Sequence, residues 1–190
     1  LLDDLCDQSM TLLKDTLARK YARKKSRKLF SEKSLWKESY DVLDEYPVIL
    51  STTFSSRNSL NTDVIYDYLI MDEASQVDIK TGALALSCAM NAVIVGDDKQ
   101  LPNVVSQEEE IALNAIQSTY HVDEKYQATT NSFLQSCVKV LKDAPVTLLR
   151  EHYRCHPRII DFCNQRFYNE ELITMTSDNT NTFANFRQSI

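Results

Sequence analysis

Two acidic corners, each at the end of a short apolar run, hold the residue types that chemistry on a phosphate requires. Tyr66-Asp67-Tyr68-Leu69-Ile70-Met71 runs into Asp72-Glu73-Ala74-Ser75-Gln76, and Ala92-Val93-Ile94-Val95 runs into Gly96-Asp97-Asp98-Lys99-Gln100-Leu101-Pro102. Adjacent carboxylates on an extended chain point to opposite sides, so Asp72 and Glu73 can serve different partners. One can hold a hydrated Mg²⁺, which takes one or two carboxylates plus phosphate oxygens, while the other orients or deprotonates an attacking water. In the second corner Gly96 permits a tight exit from the strand, and the Gln100 amide can both donate and accept beside a phosphate or its water. Pro102 stops the turn from continuing as a helix. A bare Asp-Glu pair also reads as a solvated loop, and the second string as a polar turn ended by proline. Two such corners so close together suggest one shared active edge.

The elements that must position these corners follow from the apolar runs themselves. Tyr68 to Met71 and Val93 to Val95 are short and evenly apolar, which predicts parallel strands covered on both faces, with the site at their carboxyl edge. Residues 76–90 then form the crossover helix, with Val77, Leu84 and Leu86 turned toward the sheet.

Asp72-Glu73-Ala74-Ser75-Gln76 resembles motif II (Walker B) of superfamily 1 helicases, and Gly96-Asp97-Asp98-Lys99-Gln100-Leu101-Pro102 resembles their motif III. Within that superfamily the first string resembles the branch typified by the nonsense-mediated-decay RNA helicase. Downstream, Glu151-His152-Tyr153-Arg154-Cys155-His156-Pro157 is similar to that branch's motif IV. The resemblance covers residues 46–173 and implies an α/β fold: part of a RecA-like P-loop NTPase motor domain with a parallel sheet, followed by the start of a second such domain. It implies ATP as substrate, with Asp72 on Mg²⁺, Glu73 as catalytic base, Gln100 sensing the γ-phosphate and Arg154 acting as an arginine finger across the interdomain cleft. Gln76, Gly96 and Asp97 join the nucleotide-binding set, and Gln76 links nucleotide state to a bound strand. Single-stranded DNA or RNA is the implied polymer, with Thr52 or Thr53 matching a threonine that touches it.

Composition limits the alternatives. With two glycines in 190 residues, no Gly-x-x-x-x-Gly-Lys-Ser/Thr phosphate loop can be written, so Walker A is missing from this sequence. The start at Leu1 without Met suggests an excised piece, whose partners include the remainder of the parent chain with Walker A and motifs V and VI. Five scattered cysteines, Cys6, Cys88, Cys137, Cys155 and Cys163, fit reduced thiols in a cytoplasmic compartment better than a disulfide frame. No apolar run is long enough to span a bilayer and no signal peptide opens the chain, so no membrane role is expected.

Taken in order, residues 1–45 read as a helical, partly basic segment, a possible insertion in the first motor domain. Apolar spacing predicts a helix over 1–28, whose residues 19–28 hold seven Lys or Arg and no acid. The chain carries −6 overall, so that block's +7 leaves −13 elsewhere. It reads either as a phosphate-neutralising patch or as a solvated face. A second helical segment, 34–45, carries Trp36 as a packing residue. Val48-Ile49-Leu50 reads as a third buried strand, which exits through Ser51-Thr52-Thr53-Phe54.

Residues 46–143 are assigned to the later part of the first RecA-like domain and 144–190 to the start of the second. Within them, 106–126 reads as a mobile loop with a short helical stretch, 133–141 as a helix, and Val146-Thr147-Leu148-Leu149 as a fourth strand. Residues 158–168 form a helix with a stripe of Ile159, Phe162, Cys163 and Phe167. A zinc site built from His152, Cys155, His156 and Cys163 is disfavoured, because Pro157 starts the helix and leaves His152 outside it. A structural role for Arg154, paired to an acid, is the alternative to the finger. For the whole chain, the rival is a non-catalytic, helicase-like module that binds nucleic acid or protein.

Overall fold

A computed structural model describes residues 2–22 and 28–177. Its centre is a two-stranded parallel sheet of β1 (Tyr66–Met71) and β2 (Ala89–Ile94), in register from Tyr66 opposite Ala89 to Met71 opposite Ile94. Parallel pairing requires a crossover, and α4 (Ile79–Leu86) supplies it. This helix is shorter than its apolar pattern suggests, because Asp78 caps it and Cys88 already bonds toward β1. Asp78 accepts from the Thr81 N–H at 3.0 Å and from the Thr81 hydroxyl at 2.5 Å, while the Cys88 carbonyl accepts the Tyr66 N–H at 2.8 Å.

One face of the sheet is packed. Leu69, Met71 and Ile94 meet Ala74, Val77, Ala85 and Leu86, and α6 (Phe133–Val140) closes this core with Phe133 and Leu134. Ser132 fixes the start of α6 through a capping box with Gln135, so the buried ring of Phe133 enters at a defined angle. The opposite face is open beyond Tyr66: Tyr68 is 66%, Ile70 72% and Val93 47% exposed. The expected two-sided burial therefore fails, since apart from the second core, which meets Tyr66, nothing among the described residues covers that side.

A second core gathers Val42, Leu60 and Val64, with Phe30, Leu35, Ile49 and Tyr66 at its margin. It lies under α2 (Glu32–Lys37) and α3 (Ser39–Glu45), one predicted helix that breaks at Glu38, where φ is −126°. Trp36 sits partly exposed beside it. Val48-Ile49-Leu50 is not a strand: it runs without a ladder partner, with Val48 and Leu50 in solvent and Ile49 alone turned inward. Thr52 and Thr53 consequently lie in an irregular turn, not at a strand exit. Val146-Thr147-Leu148-Leu149 is likewise exposed and unpaired. The strand there starts later, as β3 (Glu151–His152), parallel to β4 (Ile173–Thr174).

Among the helices, α1 (Leu2–Tyr21) is solvent-exposed over most of its length, and residues 23–27 of the basic block lie outside the described residues. At the block's end, the Lys28 ammonium lies 2.8 Å from an Asp41 carboxylate oxygen and 2.9 Å from one of Glu38, so acids hold it locally. The segment read as a mobile loop is largely α5 (Gln107–Thr119), capped by the Ser106 hydroxyl. Pro157 opens α7 (Pro157–Phe167) as expected, yet the inward residues are Ile160 and Asn164. Ile159, Phe162 and Phe167 are exposed and Cys163 is half-buried, so most of the predicted stripe faces outward. No helix among the described residues is long and apolar enough to cross a membrane.

The Asp78 cap gives a pH-dependent expectation. Burial pushes its carboxyl up, but the Thr81 hydroxyl and N–H outweigh this and hold it below its ordinary value of 3.8. A carboxyl lowered by folding stabilises above its unfolded pKa, and that contribution is lost as pH falls through the folded value. Asp78→Ala should therefore cost about 1 kcal/mol at neutral pH, with the gap to wild type closing in denaturant titrations run below pH 4.

Candidate active edge

Both acidic corners lie at the carboxyl end of the same strand pair and are stitched to one another through the backbone. The Val95 N–H donates to the Met71 carbonyl at 2.7 Å, the Ala74 N–H to the Val95 carbonyl at 2.9 Å, and the Asn103 N–H to the Ser75 carbonyl at 3.0 Å. Gly96 is needed for this approach. A Cβ there would stand 3.1 Å from both the Ala74 and Ser75 nitrogens and 3.0 Å from Leu134 Cδ2. Its φ is not positive, so the requirement is closeness of two chains, not a tight exit.

The first corner turns sharply. Glu73 sits in the left-handed region at φ 53°, ψ 37°, a conformation that costs a residue with a Cβ about 1–2 kcal/mol. Two bonds hold it there: the Glu73 N–H donates to Asp72 Oδ1 at 2.9 Å, and the Gln76 N–H donates to the Glu73 carbonyl. The two carboxylates are thus separated by a left-handed turn, where the sequence suggested strand alternation. Both are exposed, while Ala74 and Ser75 behind them are buried. The Gln76 amide reaches Glu73 Oε2 at 3.5 Å. Ser75 Oγ is sealed with no hydrogen-bond partner among the described residues.

In the second corner Asp97 is the organising residue. Its Oδ1 accepts the Lys99 N–H at 2.9 Å, and its Oδ2 accepts the Gln100 side-chain amide at 3.1 Å. The same Oδ2 accepts the hydroxyl of Tyr168, at the end of α7 and 71 residues away in sequence. That link was not legible in the sequence, where Tyr168 is merely the last residue of a helix.

Asp72, Glu73, Gln76, Gly96, Asp97 and Gln100 are therefore brought to one edge. Arg154 is not bonded to them: it is exposed just after β3, and its side chain makes no hydrogen bond or ion pair to a described residue. Thr52 and Thr53 are not bonded to the edge either; the Thr52 hydroxyl accepts the Ser55 N–H at 3.2 Å within its own turn.

The donor set suits Mg²⁺ better than zinc. Asp72 keeps Oδ2 clear of bonds to the described residues, and Mg²⁺ needs only one or two carboxylates beside phosphate oxygens and water. Zinc needs a closed set of nitrogen and sulfur donors, and among the described residues no three His, Cys, Asp or Glu groups lie close enough to hold a metal. His152 Nε2 instead accepts the Cys155 N–H at 2.9 Å, and His156 Nδ1 caps α7.

Comparison with known proteins gives the family of the chain. The family model described as "AAA domain" matches residues 7–108. Over 156 residues the chain is 33% identical to "Uncharacterized ATP-dependent helicase MG140" of Mycoplasma genitalium, covering 76% of this chain and 13% of that protein. It is 29% identical over 130 residues to "Probable helicase MAGATAMA 3" of Arabidopsis thaliana, covering 67% of this chain and 14% of the relative. With "DNA replication ATP-dependent helicase/nuclease DNA2" of Gallus gallus it shares 23% identity over 145 residues, 76% of this chain and 13% of the relative. The chain spans only about an eighth of the length of the mycoplasma relative. From the matched family and these shared helicase relatives, the chain belongs to the AAA domain family, with a partial RecA-like P-loop fold of superfamily 1 helicase type.

Proposed function

We propose that the chain supplies one wall of an ATP-driven motor that moves along single-stranded DNA or RNA, within a longer polypeptide that adds the phosphate loop. The observation that carries this reading is the stitching of the two corners at one carboxyl edge through Val95, Ala74 and Asn103. In it, Asp72 holds the Mg²⁺ of the nucleotide, an ion that neutralises charge on the phosphates when bound. Glu73, held outward by its left-handed backbone, takes a proton from the attacking water. Gln100 is oriented by Asp97 and contacts the γ-phosphate or that water. Gly96 lets the corners close, and Gln76, next to the Glu73 carboxylate, passes the state of the nucleotide to the strand.

Arg154, whose guanidinium has no partner among the described residues, comes to the γ-phosphate when the second domain closes, stabilising transition-state charge. The hydroxyls of Thr52 and Thr53 contact the sugar-phosphate backbone without reading bases. Residues 46–143 and 144–190 are assigned to successive motor domains, and 1–45 to a preceding helical segment.

The test is ATP turnover by the full-length protein with and without single-stranded oligonucleotides. Saturable stimulation by a single strand is expected, whereas the 190-residue chain alone should hydrolyse no ATP because it lacks the glycine-rich cradle for phosphate. Steady turnover by the short chain, or a full-length protein indifferent to single strands, would contradict the proposal.

A further inference from the structure

Asp97 is shared between two donors that come from distant parts of the chain. Its Oδ2 accepts both the Gln100 amide, at 3.1 Å, and the Tyr168 hydroxyl, while Oδ1 is held by the Lys99 N–H. A carboxylate with both oxygens engaged in this way cannot rotate freely. The amide of Gln100 inherits that restraint. With one N–H committed to Asp97, its Oε1 and second N–H are left for a ligand.

The phenol itself is well anchored. Tyr168 ends α7 with its N–H on the Asn164 carbonyl at 3.1 Å. Asn169 and Glu170, in the left-handed region, then turn the chain back. Buried Asn164 clamps that return, donating to the Leu172 carbonyl at 3.0 Å and accepting the Leu172 N–H at 2.9 Å. The ring is thus fixed by the fold of the segment that also contains Arg154, not by the corner it touches. Partial burial, followed by the Asp97 contact, pushes the phenol's pKa well up, so it remains a donor throughout the neutral range.

We infer that Tyr168 is a positioning residue for the Gln100 amide, acting through Asp97, and that it ties the segment carrying Arg154 to the edge carrying the phosphate sensor. This rests on the ATP-hydrolysis reading above and adds to it a residue that touches no substrate.

The experiment uses the full-length protein with saturating single-stranded oligonucleotide. Tyr168→Phe keeps the ring and removes only the hydroxyl. It should lower kcat about tenfold while changing the KM for ATP by less than about twofold, the pattern of a contact that matters in the transition state and not for binding. Asp97→Asn reads the same link from its other end and should lower kcat at least as far. The double variant should be no slower than the slower single one, because both remove one chain of contacts. Tyr120→Phe, a change to an exposed tyrosine outside the edge, should leave both constants alone, and thermal unfolding of each variant checks that the fold is kept. A Tyr168→Phe enzyme with wild-type kcat, a raised KM alone, or multiplicative losses in the double variant would overturn the positioning role and leave the ATPase reading standing. Absence of ATP turnover in the wild-type protein would instead remove that reading, and this role with it.

Discussion

Glu73→Gln in the full-length protein should retain nucleotide affinity and lose hydrolysis by on the order of 10²–10⁴-fold, the range for removing a positioned general base. The substitution is nearly isosteric, and the bonds that shape the corner run through the backbone. The Glu73 N–H donates to Asp72 Oδ1 and its carbonyl accepts from Gln76, so both survive the change. What disappears is the ability to take a proton. Fluorescent-nucleotide titration and single-turnover hydrolysis separate the two quantities. A rate within about threefold of wild type would deny Glu73 the role of base, since the effect would fall far short of the general-base range. A parallel loss of affinity would make it a binding residue instead.

The largest stability effect is expected where two helices of the main core touch. Gly82 lies in α4 directly against the ring of Phe133 in α6: a Cβ at that position would fall 2.2 Å from Cδ2, 2.3 Å from Cγ and 2.7 Å from Cε2. Two effects oppose one another in Gly82→Ala. Relief of glycine's backbone entropy inside a helix favours alanine by about 0.5–1 kcal/mol. Against it, the ring cannot yield cheaply, because Cγ is at its root and Phe133 is packed with Met71, Ala74 and Ala85. Overpacking of this kind costs about 1–3 kcal/mol, so the clash wins. The variant should unfold several degrees lower, at about 2–4 °C per kcal/mol for a chain of this size. Phe133→Leu, made in the Gly82→Ala background, should recover part of that loss by giving the methyl room. An alanine variant as stable as wild type would mean that the helices are not in contact there.

The two acidic corners were legible because they are local. An apolar run ending in acids specifies a strand and its carboxyl edge within a few residues, and Tyr66 to Met71 and Ala89 to Ile94 pair on that basis. The α7 start was legible for the same reason, since Pro157 acts on its own backbone. Failures came where the outcome depends on a distant partner. Val48 to Leu50 and Val146 to Leu149 have strand composition, but a strand also needs a neighbour to bond, and none of the described residues provides one. The outward stripe of α7 fails similarly, because periodicity identifies two candidate faces and packing selects between them. The sharing of Asp97 by Gln100 and Tyr168 bridges 71 residues and leaves no local trace. Gly82 and Gly96 were visible as the only glycines, but the contacts that make each necessary came from the fold.

The uncovered side of the central sheet affects how this polypeptide behaves in a tube. Beyond Tyr68, Ile70 and Val93, the outer rims of both strands have no strand partner among the described residues, so N–H and C=O groups are offered along two borders. Such borders template further strands, and greasy neighbours hold the newcomer once docked. A net charge of −6 spread over 190 residues gives modest colloidal repulsion. Concentrated preparations of the chain by itself should therefore cloud with time and bind hydrophobic dyes. Added salt should speed the loss by screening what repulsion exists.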